Sequence, residues 1–182
     1  MYEKGDYVIY GKSGVCAVEK VGTLDMPGVD SSRTYYTLRP IYTTETIFTP
    51  VDTKVFMRPA ITQEEAIGLI KQIPEIESDM DLELDLDNKT MPDYYKSLLT
   101  THDCKDLIRL ILIIHSRAQK AVEAKKRICQ TDQNFMRDAE SILYGELSVA
   151  LGIEMDKVPE FISRMIGEET DTPQEDVIKR EA

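Results

Sequence analysis

The apolar positions of the chain change period near residue 61. Before it they fall in short runs broken by Gly and Pro: Tyr7-Val8-Ile9-Tyr10 is closed by Gly11, the run restarts at Gly14 to Val18, and Gly22 closes the next stretch. Leu24 to Arg33 contains Pro27 and Gly28 and reads as a turn or hairpin loop. Tyr35-Tyr36-Thr37-Leu38 is dense in strand formers and stops at Pro40, Thr46-Ile47-Phe48-Thr49 stops at Pro50, and a last short strand is expected near Lys54–Met57. Five short strands in residues 1–60 predict a small β-barrel or a strongly bent antiparallel sheet.

After residue 61 the spacing becomes helical. Thr62 and Glu65 are spaced as a capping box, followed by the stripe Ala66, Leu69, Ile70, Ile73 that Pro74 ends. Pro74–Pro92 reads as an acidic linker, within which Leu82, Leu84 and Leu86 alternate with acids, a period-two pattern that argues an extended segment. Tyr94, Tyr95, Leu98 and Leu99 predict a short helix. Asp103 is expected to cap a long one carrying Leu107, Ile108, Ile111, Leu112 and Ile114. Thr131 or Asp132 opens the next, with Phe135, Met136, Ala139, Ile142, Leu143, Leu147 and Leu151 at three-and-four spacing and Gly152 just past its end. Asp156 starts a final short helix with Val158, Phe161, Ile162, Met165 and Ile166, and residues 168–182 are polar and acidic enough to read as a disordered tail. The expected architecture is α+β: a β-domain at 1–60, a helical domain at 61–167 with its linker at about 74–92, and the tail at 168–182.

Composition narrows the function classes. The chain has 182 residues with a formal net charge of −11, 42% hydrophobic residues and 30% charged ones, an ordinary balance for a globular protein. The longest apolar run, Leu110–Ile114, is far too short to span a bilayer. The first residues, Met-Tyr-Glu-Lys-Gly-Asp, lack the apolar core of a secretory signal. Cys16, Cys104 and Cys129 are odd in number and widely spaced, which suits free thiols in a reducing cytoplasm rather than a disulfide framework or a zinc site. The overall −11 argues against nucleic acid until it is resolved by segment. Residues 1–60 are neutral, 61–93 carry −8, 94–127 carry +5 and 128–182 carry −8, so one basic segment lies inside an acidic protein.

Catalytic chemistry is scarce. There are two histidines, His102 and His115, and no Cys-x-x-Cys, His-Glu-x-x-His or phosphate-cradling glycine motif. Nothing in the sequence supplies a base that would activate Cys16, and the paired acids at 75–87 read as solvated. No enzyme activity, cofactor or metal is expected. An interaction role fits better, because a small β-module has sheet edges that template a partner strand, and Tyr35 and Tyr36 point to opposite faces so that at most one is core.

Gly5-Asp6-Tyr7-Val8-Ile9-Tyr10, Gly14-Val15, Tyr35-Tyr36-Thr37-Leu38, Thr49-Pro50-Val51-Asp52 and Arg58-Pro59 resemble, in order and spacing, the N-terminal domain of the CarD family, itself similar to the RNA-polymerase-interacting module of the transcription-repair coupling factor. In the helical half, His102-Asp103 with Leu107-Ile108, Ala139 to Leu147, Val149 to Ile153, and Val158 with Phe161-Ile162 continue the resemblance. It implies a Tudor-like β-domain that binds the β subunit of bacterial RNA polymerase by strand-edge pairing, and a helical domain that contacts promoter DNA with a wedging tryptophan and basic residues. The chain departs from that pattern in two places: it has no Trp, the family's tryptophan falling at Leu84 or Asn88, and Gly11 to Cys16 replaces the family's Pro-x-His-Gly-Val-Gly.

The resemblance gives as expected polymerase-contact residues Arg33, Tyr35, Tyr36, Leu38, Arg39, Ile47, Thr49, Pro50 and Arg58. A weak, salt-sensitive DNA contact is expected from Leu84, Asn88, Lys89, Lys96, Lys105, Arg109, Arg117, Lys120, Lys125, Lys126 and Arg127. The alternative is a protein-only adaptor whose helical domain no longer engages DNA. A strand-swapped dimer is a further candidate, through Pro74–Pro92 or the loop at Leu24–Arg33.

Overall fold

The computed structural model describes residues 1–80, 87 and 89–170, the last three by backbone alone. Five strands, β1 (Tyr7–Tyr10), β2 (Val15–Gly22), β3 (Tyr35–Pro40), β4 (Ile47–Pro50) and β5 (Met57–Pro59), form one antiparallel sheet in the order β4-β3-β2-β1-β5. The barrel alternative fails and the bent sheet holds. β4 and β5 lie at opposite ends of the ladder, and no pairing joins them among the described residues. Bending is still strong. A register shift between Val18 and Lys20 bulges β2. The Tyr10 hydroxyl on β1 reaches Thr49 Oγ1 on β4 at 3.1 Å, across two intervening strands.

Strand alternation divides the apolar residues between two faces. Val8, Cys16, Val18, Tyr36 and Leu38 form one buried cluster, extended by Tyr2, Tyr10, Val21, Ile47, Val51 and Met57. Ile9 and Val15 pair in register, lie outside that cluster and are also buried, Ile9 fully. Both faces of the sheet are therefore covered at the β1–β2 hairpin.

Among the described residues, α1 (Gln63–Lys71), α2 (Ile73–Ser78), α3 (Met91–Thr100), α4 (Cys104–Glu123), α5 (Gln130–Leu151) and α6 (Val158–Thr170) follow. Thr62 and Glu65 close the full capping box at α1. Asp103 caps α4 through Lys105 N–H and Asp106 N–H. α5 opens at Gln130 and stops at Gly152, whose φ of 66° is the left-handed stop that glycine supplies. α2 occupies the start of the stretch read as linker, with Pro74 in its first turn, where a missing N–H costs nothing. The helical core joins Ala66, Ile70, Ile76, Met91, Tyr95, Leu107, Leu110, Ile114, Ala139, Leu143, Leu147 and Val158, drawn from all six described helices. The alternating segment at 82–86 and residues 171–182 of the expected tail lie outside the described residues. No described helix is long and apolar enough to cross a membrane.

Candidate functional site: two sheet edges and a domain junction

The direction of each backbone amide along the edge strands follows from the ladder. Val51 N–H donates to Thr34 C=O at 3.1 Å, so pairs 51/34, 49/36 and 47/38 exchange hydrogen bonds inside the sheet. Residues 48 and 50 then point their amide groups outward. Pro50 has no N–H, which leaves Phe48 as the outward donor of β4. The Phe48 ring is 43% exposed, an aromatic on an open edge. The residues expected at the polymerase contact include Ile47 and Thr49, the two neighbours of Phe48, but not Phe48 itself. Its signal was simple alternation between Ile47, half-buried, and Thr49, buried.

The same arithmetic applied to β5 gives a different edge. Ala60 N–H donates to Tyr7 C=O and Gly11 N–H to Phe56 C=O, both at 2.9 Å, so residues 57, 59 and 61 face outward. Pro59 has no N–H, and its C=O accepts from Arg58 Nη1 at 3.1 Å. Ile61 N–H donates to Glu146 Oε1 of α5 at 2.9 Å.

Arg58 organises this junction. Its Nη1 donates to Glu146 Oε1 at 2.5 Å and its Nη2 to Glu146 Oε2 at 2.8 Å, a fork-to-fork pair. Nε and Nη2 also donate to His102 C=O at 3.1 and 2.8 Å. His102 can offer that carbonyl because its φ is 54°, a left-handed turn just after α3. Its ring stacks on Phe56 with centroids 4.3 Å apart. Glu146 is fully buried and also accepts from the Cys104 thiol at 3.3 Å. Burial pulls the Arg58 guanidinium down, but the facing Glu146 carboxylate outweighs it and leaves the group above its ordinary value. Burial, with Glu146 adding to it, pushes the Cys104 thiol up to about 12, so Cys104 is neutral and unreactive. Burial and Arg58 together hold His102 below its ordinary value. An open groove of about 720 Å³ runs along this junction between Phe56, Leu69, Gln72 and Lys105. The Arg58 fork on its wall is already spent on Glu146 and His102.

A second contact flanks the first. The Tyr42 hydroxyl, from the β3–β4 turn, hydrogen-bonds Ser148 Oγ, which donates in turn to Gly145 C=O at 2.7 Å. Gly145 lets α5 approach closely. A Cβ there would sit 3.4 Å from Tyr42 Cε2 and 3.5 Å from Val15 Cγ1.

The remaining expected residues scatter. Tyr36, Leu38 and Thr49 are buried, and β3, which carries Tyr35 to Arg39, lies inside the sheet rather than at its edge. Leu38 and Tyr36 therefore support the edge from behind. Arg39 pairs with Glu19 at 3.0 Å, and Arg33 donates from Nη2 to both Asp52 oxygens at 2.6 and 2.8 Å, which holds that carboxyl below its usual range. Both pairs are exposed, one at each end of β3, and exposed pairs contribute little stability. Arg58, expected at the polymerase contact, faces α5 because its guanidinium has a buried carboxylate to neutralise.

In the helical half, Lys105, Arg109 and Lys120 fall within about 60° on α4 at 100° per residue. Arg109 pairs with Asp106 at 2.6 Å. Arg117 turns toward α5, where its Nε meets the buried Asp132 at 3.3 Å, so it belongs to the packing of α4 on α5. Lys89 and Lys96 are exposed elsewhere. Lys125, Lys126 and Arg127 form the exposed turn after α4, beside Val122, 62% exposed, and Ile128. Lys125 adopts φ 53°, and Lys126 N–H bonds Ala121 C=O while Lys125 N–H bonds Val122 C=O, the Schellman pattern with lysine where glycine is usual. Leu84 and Asn88 lie outside the described residues.

A search of curated proteins finds no match to the chain. Residues 2–61 match the family described as the CarD-like/TRCF RID domain, a span that runs from Tyr2, through both sheet edges, to the Ile61 amide held by Glu146. The chain thus carries a CarD-like/TRCF RNA-polymerase-interacting domain at residues 2–61 and is an RNA-polymerase-interacting, transcription-related protein.

Proposed function

We propose that the protein is a non-enzymatic bacterial transcription regulator that docks on the polymerase β subunit by adding a strand to the outer edge of β4, in the cytoplasm where polymerase works. The observation that carries this reading is the open β4 edge. Phe48 presents an outward amide and an exposed ring there, whereas at the opposite end of the sheet Glu146 of α5 already takes the Ile61 amide just past β5. Pro50 limits the paired stretch to a few residues, so side-chain contacts from Phe48, Tyr35 and the exposed face of Arg39 supply specificity. The test is a titration of the full chain with isolated polymerase β subunit. Saturable one-to-one binding supports the reading, and no binding at micromolar concentrations refutes it. A second copy of the chain on the same edge would instead appear as a concentration-dependent dimer without polymerase.

Promoter DNA is the second contact in this reading. Lys120, Lys125, Lys126 and Arg127 gather at the α4–α5 turn with Val122 and Ile128 exposed between them, a basic surface with apolar side chains in an otherwise acidic protein. The affinity is weak and falls steeply with salt, because the rest of the chain repels phosphate. The competing reading, a protein-only adaptor, draws on the absent Trp. Anisotropy titrations of forked promoter DNA at several salt concentrations separate them. A salt-dependent isotherm that Lys125→Glu, Lys126→Glu and Arg127→Glu together abolish supports DNA contact, and a flat one at low salt leaves the adaptor.

A further inference from the structure

We propose that Arg58 and Glu146 form an orientation latch, fixing the helical half against the sheet so that the two behave as one rigid body. The inference stands whether or not β4 binds polymerase. Three features single this pair out from ordinary packing. First, Glu146 lies on the apolar stripe of α5, after Ala139, Ile142 and Leu143, where an aliphatic residue would serve the helical core, yet it is fully buried as a carboxylate. Second, both oxygens are used, and every donor to them lies outside α5: Arg58 and Ile61 around the β5–α1 connection, and Cys104 at the start of α4. Third, Arg58 spends its fork on two elements at once, α5 through Glu146 and the α3–α4 turn through His102 C=O. One carboxylate and one guanidinium thus fix the connecting backbone, the sheet edge and two helix ends.

The geometry explains why a charge pair serves here. Two apolar side chains would fill the same space but tolerate sliding. A bidentate pair tolerates neither rotation nor translation, because any shift leaves a buried charge unpaired. Tyr42 on Ser148 and the close approach at Gly145 set the distance between the halves, and the fork sets their angle.

Pulsed electron spin resonance tests the latch on the full chain. Cys129 is exposed and takes one spin label, and an introduced Lys12→Cys on the exposed turn after β1 takes the other. Burial pushes the Cys16 thiol up to about 11 and that of Cys104 to about 12, which keeps both unlabelled at neutral pH. The labelled protein should give one narrow inter-spin distance distribution. Glu146→Gln, with circular dichroism unchanged, should at least double its width. Where Glu146→Gln does not fold, Arg58→Lys keeps the charge but loses the fork, and should also broaden the distribution. The pair Arg58→Met with Glu146→Leu should refold well and stay broad. A narrow distribution in any of these folded variants would overturn the latch and leave the orientation to the packing at Tyr42 and Gly145 and the Phe56–His102 stack.

Discussion

β4 and β5 end the sheet on opposite sides, and each has a proline at an outward-facing position, Pro50 and Pro59. Beyond that likeness they differ in what meets the outward groups. At β5, Arg58 takes the Pro59 carbonyl and Glu146 of α5 takes the Ile61 amide just past the strand, so two of the three outward positions meet groups of the same chain. At β4, the Phe48 amide faces outward beside an exposed ring. A sheet edge left open is an aggregation hazard unless a partner uses it, and the contrast separates the edge that meets groups of its own chain from the edge at which a partner strand is proposed to add.

That contrast makes graded predictions. The largest effect is at β5: Glu146→Gln strands the Arg58 charge and should cost about 3–5 kcal/mol in urea unfolding, while leaving the intrinsic chemistry of the β4 edge intact. At β4 the order reverses. Phe48→Pro removes the outward amide without touching the β3–β4 ladder, so stability should change by about 1 kcal/mol or less. Affinity for polymerase should fall about tenfold, or about 1.4 kcal/mol. Equal stability losses in both variants would erase the distinction between the edges.

Two smaller effects lie away from the edges. Lys125→Gly relieves a left-handed lysine and should raise stability by about 1 kcal/mol. If the turn binds duplex DNA, the same change should flatten the plot of log affinity against log salt by about 0.9. The smallest concerns the cap beside Ile61. The Thr62 N–H and hydroxyl hold the Glu65 carboxyl below its ordinary 4.5. A depressed carboxylate contributes stability that is complete above pH 4.5 and is lost as pH falls through the lower folded value. Glu65→Ala should therefore lose stability at neutral pH and show a shallower acid limb.

Much of the fold was legible because periods of two and three-to-four are local. The strands, the capping box, the Asp103 cap and the Gly152 stop all follow from short-range pattern. What failed was non-local. Strand order put β3 inside the sheet, although Tyr35 and Tyr36 looked suited to an edge. Arg58 read as a surface charge because its partner lies 88 residues away. A signal for Glu146 existed, an acid on an apolar stripe one turn after Ile142 and Leu143 and next to a glycine within the helix. Arg117 was counted with the basic face until α5 brought Asp132 to it.

Amide hydrogen exchange of the full chain, with and without the polymerase β subunit, tests whether the outer edge of β4 receives a polymerase strand. Outward Phe48 N–H should exchange quickly in the free protein and become protected in the complex, while Ile61 N–H, already held by Glu146, stays unchanged. Protection elsewhere on the chain with Phe48 still exchanging freely would rule out strand addition at β4.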